Sequence, residues 1–339
     1  MTDNNPDEAI DIRTPSVSTL DELGRVDEER FKKNLDSLIL EAEDMRLRRM
    51  KQNRTRAFIS MNLGILSMLI GVGFFGWFFL FVGNITTAVL CVALSAVVPI
   101  LLNFWTARPL KTYVKEHKTT FMPKLAKALN GLSFHPERGV NEKMLGKLAI
   151  IPAYDRYEAE DCFMGVYKGV KVVFSEARLH SRAHRDGPVF EGIFVLLEVP
   201  GDVIEGHTII TANDKMVKAY EKTRWKTMKK VYVSVSNPNW DRFQVFSTKP
   251  EAAELLVGER LLKELSEASD IFKQSPLSVA MFGKKFIFMM IPNDEDMFEP
   301  SNLFVPVTTN QHAMQCKKEI EQILEIIDVF DLYQPLVRA

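Results

Sequence analysis

From Ala57 through Ala107 the chain carries no Asp, Glu, Lys, Arg or His. As one helix rising 1.5 Å per residue, this run would be ~76 Å long, more than twice the ~30 Å hydrocarbon core of a bilayer. It is therefore expected to cross a membrane twice. Gly83-Asn84 supplies the break, because glycine weakens a helix and asparagine tolerates a left-handed turn. The expected spans are about 58–82 and 85–105. The soluble alternative, a buried helical hairpin, would need two long helices with no solvated face at all.

The flanks orient the hairpin. Arg46, Arg48, Arg49, Lys51, Arg54 and Arg56 precede the first span, and Arg108, Lys111, Lys115 and Lys118 follow the second with only Glu116 opposing them. The connecting turn is uncharged. By the positive-inside rule both termini are expected in the cytoplasm, with the chain a two-pass protein of the inner membrane. Residues 1 to 18 are polar and acidic, the opposite of a secretory signal peptide, so the first span is expected to be a permanent anchor.

Small residues are ordered within the spans. Ser60, Gly64, Ser67 and Gly71 form one stripe, and Ala88, Cys91 and Ser95 form another, which suits close packing of the two helices or self-association into a homo-oligomer. Gly71-Val72-Gly73-Phe74-Phe75-Gly76 matches the G-x-G-x-x-G dinucleotide pattern. That motif has meaning only between a strand and a helix, so here it is rejected. No ionisable group inside the spans marks a proton or ion path.

The rest of the chain divides by composition. Residues 1–18 are expected to be a disordered tail, and 19–56 a solvated, basic-ended amphipathic helix starting at Ser18 or Thr19. Residues 108–149 read as a basic juxtamembrane stem. It is interrupted at Pro123, and Phe121, Met122 and Leu125 lie either on the membrane surface or against the following domain. From residue 150 the pattern turns to period two. Cys162–Tyr167 and Val170–Phe174, joined by Lys168-Gly169, predict a hairpin. Further strands are expected at 189–199, 207–211, 230–235, 243–247, 277–282 and 285–291, with helices at 250–272 and 312–330. The expected fold is α+β: an amphipathic helix, a transmembrane hairpin, and a cytoplasmic domain (150–339) of antiparallel sheet with helices.

No catalytic motif is present. Glu176, His180 and His184 would share one face only if helical, yet they leave a strand and run past Arg182 and Arg185, which oppose a bound cation. Asp294-Glu295-Asp296 lacks the glycine and distal glutamate of a calcium loop, and Cys162 and Cys316 read as buried small residues. No metal, cofactor or catalytic residue is assigned. Three cysteines without a C-x-x-C pair make neither a disulfide framework nor a zinc cluster, which fits a reduced, intracellular chain. A net charge of -1 argues against a nucleic-acid binder.

One segment stands out. Lys215, Lys218, Lys222, Arg224, Lys226, Lys229 and Lys230 are opposed only by Glu221, with Tyr220 and Trp225 interleaved. These residues, Trp225 included, are candidates for contact with anionic lipid headgroups or with a protein partner. A solvated basic face is the plainer alternative.

The order Phe163-x-Gly165-x-Tyr167, Phe174-Ser175-Glu176-Ala177, Val189-Phe190-Glu191-Gly192-Ile193-Phe194, Phe243-x-Val245-Phe246-Ser247 and Glu251-Ala252-Ala253 resembles the bacterial family known as domain of unknown function 3137. So do Lys284–Ile291 and Ile323-x-x-Ile326-Ile327-Asp328. The resemblance extends over nearly everything after the first basic flank. It implies a bacterial two-pass membrane protein with a cytoplasmic domain and brings no activity with it. The functional expectation is a membrane-anchored binding or scaffold module. The alternative is an enzyme acting on a membrane-associated substrate through Glu176, His180, His184 and Asp186.

Overall fold

The computed structural model describes residues 28–184, 186–237, 240, 242–300, 302–307 and 311–329. The expected tail 1–18 and the helix start at Ser18 or Thr19 lie outside them. The chain forms two compact units, one of residues 36–121 with 299–313, the other of 1–35, 122–298 and 314–339.

The first unit is built on two helices, α1 (Glu28–Trp77) and α2 (Ile85–Glu116). Both are long and apolar enough to cross a membrane, and only 6% of the most apolar window in each is buried within the molecule. They are therefore not the buried core pair of a soluble fold. Leu80 and Phe81, each 73% exposed, typify the surface. A π-helical turn, Phe78–Val82, ends the first helix at Gly83, whose φ of 69° is left-handed. Asn84 then caps α2, its side chain accepting the Thr87 N–H at 3.1 Å.

The charged legs below the apolar stretch are stitched together. Arg49 pairs with Glu116, Asn53 Nδ2 donates to the Thr106 carbonyl at 3.1 Å, and Arg56 donates to the Trp105 carbonyl with its guanidinium 5.0 Å from that ring. Arg46 is buried, paired with Glu43 at 2.6 Å and donating to the Leu303 carbonyl at 2.8 Å. The amphipathic helix expected at 19–56 turns part of its apolar stripe inward. Ile39, Ala42 and Met45 are buried, and Met45 packs with Tyr113 and Leu303.

In the second unit, α3 (Met122–Asn130) follows a π-helical turn at His117–Phe121. Pro123 cannot donate to the carbonyl four residues back, and the wider turn before it lets the chain stay helical instead of breaking. Met122, Leu125 and Ala126 are fully buried, so this apolar face packs on protein and not on a membrane surface. Nine antiparallel strands follow: β1 (Ser133–His135), β2 (Arg156–Tyr167), β3 (Val170–His180), β4 (Phe190–Glu198), β5 (Thr208–Thr211), β6 (Lys229–Val231), β7 (Gln244–Ser247), β8 (Ser278–Phe282) and β9 (Phe286–Pro292). They form one sheet in the order β1-β2-β3-β4-β9-β8-β5-β7-β6. Between them lie α4 (Glu142–Leu145), α5 (Asp214–Tyr220), α6 (Pro250–Leu256) and α7 (Glu259–Ile271), with α8 (Gln311–Val329) last.

The middle strands are apolar on both faces, as a sheet covered on both sides requires. On one face Leu179, Phe194, Phe288 and Met290 meet Leu148, Ile150 and Trp225. On β2 and β3, Phe163 stacks on Phe174 at 4.8 Å, with Phe134 at 4.8 Å and Phe298 at 4.7 Å from the Phe163 ring. Five buried side chains of α8, from Ile320 to Ile327, complete the interior.

Candidate functional site

The spacing that would put Glu176, His180 and His184 on one helical face does not exist, because Glu176 and His180 sit within β3. Successive even positions of that strand share a face of the sheet. In the cross-strand register Glu160 stands opposite Glu176, Glu158 opposite Arg178, and Arg178 opposite Glu191 of β4. The result is a band of charge across three strands. Arg178 is its hub, bonded through Nη1 to Glu160 at 2.7 Å, through Nε to Glu191 at 2.6 Å and through Nη2 to Asp296. These carboxylates hold the guanidinium well above its ordinary value. His180 bonds Glu158 at 2.9 Å. His184 and Asp186 lie exposed on the following turn.

Glu176 differs from its neighbours. It is buried, and its Oε1 accepts the Met297 N–H at 2.8 Å. Burial pushes its carboxyl up to about 8, against the pull of that hydrogen bond, and the negative charges of Asp161, Glu160 and Asp296 add to the rise. A bulge between Glu160 and Phe163, with Asp161 at φ 54°, brings these acids together. Next to them an open groove of about 840 Å³ runs between β2 and the loop at 136–142. Tyr157 ties the loop down by donating to the Val140 carbonyl at 3.1 Å. Gly139 is required there, since a Cβ would run into Ala159. The groove carries Glu137, Glu142, Glu158, Glu160 and Glu176 against Arg138 and Arg178, and its lining includes none of His180, His184 and Asp186. Nor do the thiols supply a nucleophile: burial pushes Cys162 up to about 12 and Cys316 higher still.

The basic segment divides into α5, a series of turns, and β6. Asn213 caps α5, accepting the Met216 N–H at 3.1 Å. Lys215, Lys218, Lys222, Arg224, Lys226, Lys229 and Lys230 are all exposed, whereas Met216, Val217 and Trp225 turn inward. Trp225 is corrected as a surface contact. It is 1% exposed, packs 5.0 Å from Phe246, and donates its indole N–H to the Ala149 carbonyl at 3.1 Å. A large ring with one donor is most stable where that donor is satisfied inside the core, and the lysines cover the outside. Arg224 donates to the Ile151 carbonyl and lies 4.9 Å from the Tyr220 ring.

In the hairpin the two stripes face each other. Ser67 Oγ donates to the Ser95 carbonyl at 2.9 Å, and Ser95 Oγ to the Val92 carbonyl at 2.8 Å. A Cβ on Gly71 would collide with Ser95, and one on Gly64 would lie 3.5 Å from Pro99 Cβ. Gly64, Gly71, Ala88 and Ser95 are buried, while Ser60, Ser67 and Cys91 are half-buried.

Against known proteins, no curated sequence and no solved structure gives a significant match. A family model matches part of the chain, and its extent is narrower than the resemblance suggested. It leaves out both apolar helices and the segments at 163–167 and 174–177, and takes in β4, the basic segment and α8. Residues 188–332 match the family described as Protein of unknown function (DUF3137).

Proposed function

We propose that the protein is a two-pass membrane anchor holding an α+β binding module at the cytoplasmic face of the inner membrane, where its charged surfaces engage a protein partner or lipid. One observation carries the reading: an uncharged helix pair with only 6% of the most apolar window in each helix buried. A contiguous apolar surface of that extent is unstable in water and stable in hydrocarbon. The basic legs support a cytoplasmic placement of both termini. Arg46 and Arg49 are tied into ion pairs there, and Arg48 holds an exposed one with Asp44.

Binding is favoured over catalysis because the groups an enzyme would use are dispersed. His180 is engaged by Glu158, His184 and Asp186 sit on an exposed turn, and Glu176 is turned to the Met297 amide. Alkaline carbonate extraction tests the anchor. The full chain should stay with the membrane pellet, and a variant lacking residues 57–107 should move to the supernatant with Cys162 and Cys316 still protected from alkylation. Release of the full chain by carbonate would refute the anchor.

A further inference from the structure

Next to the basic segment lies a second cavity, of about 670 Å³, whose chemistry is the reverse of the β2 groove. Lys147, Tyr154, His207, Arg224, Thr227 and Thr248 supply its polar lining, and no Asp or Glu is among the lining residues. The imidazole of His207 is fixed from behind. Its backbone N–H donates to Thr248 Oγ1 at 2.9 Å, the Thr248 N–H donates to the His207 carbonyl at 3.0 Å, and the ring packs 6.0 Å from Phe282. Gly206, at φ 73°, lets the loop close this tightly, since a Cβ there would press on Thr248 Oγ1. Held so, His207 Nε2 is buried with no hydrogen-bond partner in the protein. That atom is closed off from solvent, so a partner in the cavity meets the other lining groups.

The remaining groups define that partner. Arg224 spends one of its five N–H donors on the Ile151 carbonyl. Lys147 is exposed at the rim, and the hydroxyl proton of Thr248 is left to donate while its oxygen accepts from His207. Burial holds His207 below the usual imidazole range. Two cations, Lys147 and Arg224, with the hydroxyls of Thr227 and Thr248, match a tetrahedral dianion with several acceptor oxygens, and the carboxylate beside the cavity, Glu142, is engaged by Tyr154.

We propose that this cavity binds a phosphate monoester, presented either by a lipid headgroup or by a soluble molecule. The proposal stands whether or not the hairpin crosses a bilayer.

Titration calorimetry on the full chain in phosphatidylcholine nanodiscs tests it, with four probes: inorganic phosphate, glycerol 3-phosphate, dihexanoyl phosphatidic acid and dihexanoyl phosphatidylcholine. Saturable one-to-one binding of at least one phosphate monoester or phosphate, and none of the phosphatidylcholine, is expected. Binding of the acidic lipid alone assigns a headgroup, and binding of glycerol 3-phosphate or phosphate at least as tightly assigns a soluble ligand. Arg224→Gln should weaken binding tenfold or more. Lys147→Gln, at an exposed position where folding is not at risk, should weaken it several-fold, while Lys218→Gln with Lys222→Gln, outside the lining, should leave it within twofold. Failure of all three phosphate probes overturns the proposal. So does equal binding by the Lys147 variant and the parent, or an equal loss in the Lys218/Lys222 variant, which would mark diffuse attraction in place of a site.

Discussion

Replacing Glu176 by Gln isolates the consequence of burying a carboxyl on a charged sheet face. Glutamine keeps the shape and the acceptor for the Met297 N–H but cannot ionise. In the folded chain the Glu176 carboxyl is raised from 4.5 to about 8. The folded state therefore holds a proton that the unfolded state releases between those values. Stability contributed by the group is complete below about pH 4.5, falls by about 1.4 kcal/mol per pH unit above it, and is lost as pH passes 8. The whole span corresponds to about 5 kcal/mol. With a urea dependence of roughly 3 kcal/mol per molar, the parent midpoint should drop on the order of 1–2 M between pH 5 and pH 9 through this residue. Glu176→Gln should match the parent at pH 5 and exceed it progressively towards pH 9, with unfolding followed by tryptophan fluorescence in micelles. Midpoints that fall in parallel for both chains across the range would refute the reasoning, for they would show that Glu176 is ionised in the folded state.

Three further outcomes follow from the packing. Gly71→Leu drives a side chain into Ser95 and should cost on the order of 1–3 kcal/mol of helix packing, read as loss of disulfide formation between Ser67→Cys and Ser95→Cys. Trp225→Ala should lower stability by about 3–5 kcal/mol in urea unfolding, whereas Lys222→Gln with Lys226→Gln should stay within about 0.5 kcal/mol. Glu319, pushed up to about 7 by burial on α8, should show the same pH trend as Glu176 over the narrower window from 4.5 to 7, and Glu319→Gln should flatten it.

The hairpin was legible because a long uncharged run leaves few alternatives to a pair of apolar helices, and the Gly83-Asn84 break and the small-residue stripes mark where they turn and meet. The sheet was less so. Strand periodicity located eight of the nine strands and missed β1, yet β2 and β3 run on to Arg156 and His180, well past the expected hairpin. Their outer halves alternate charged residues whose partners lie across the strands, and a cross-strand ion pair leaves no apolar signature along the sequence. The helix expected at 250–272 is two, α6 and α7, separated at Val257-Gly258, where glycine starts the second helix as its cap. Trp225 misled because an aromatic ring among lysines suits a membrane interface and a lysine-covered core equally well in one dimension. The cavity beneath that segment was out of reach of the sequence, since Lys147, His207, Arg224 and Thr248 come from four separate stretches that only the sheet brings together.

The central claim, an anchor that keeps the sheet domain in the cytoplasm, is most directly tested by thiol labelling in intact cells. Cys162 and Cys316 are buried and unreactive, so replacing Cys91 by Ala leaves a background suited to single added thiols. With a membrane-impermeant maleimide, Asn84→Cys in the turn should label in intact cells, and Lys230→Cys on β6 should label only after the membrane is opened. Labelling of Lys230→Cys in intact cells, or of Asn84→Cys only after opening, would contradict the account.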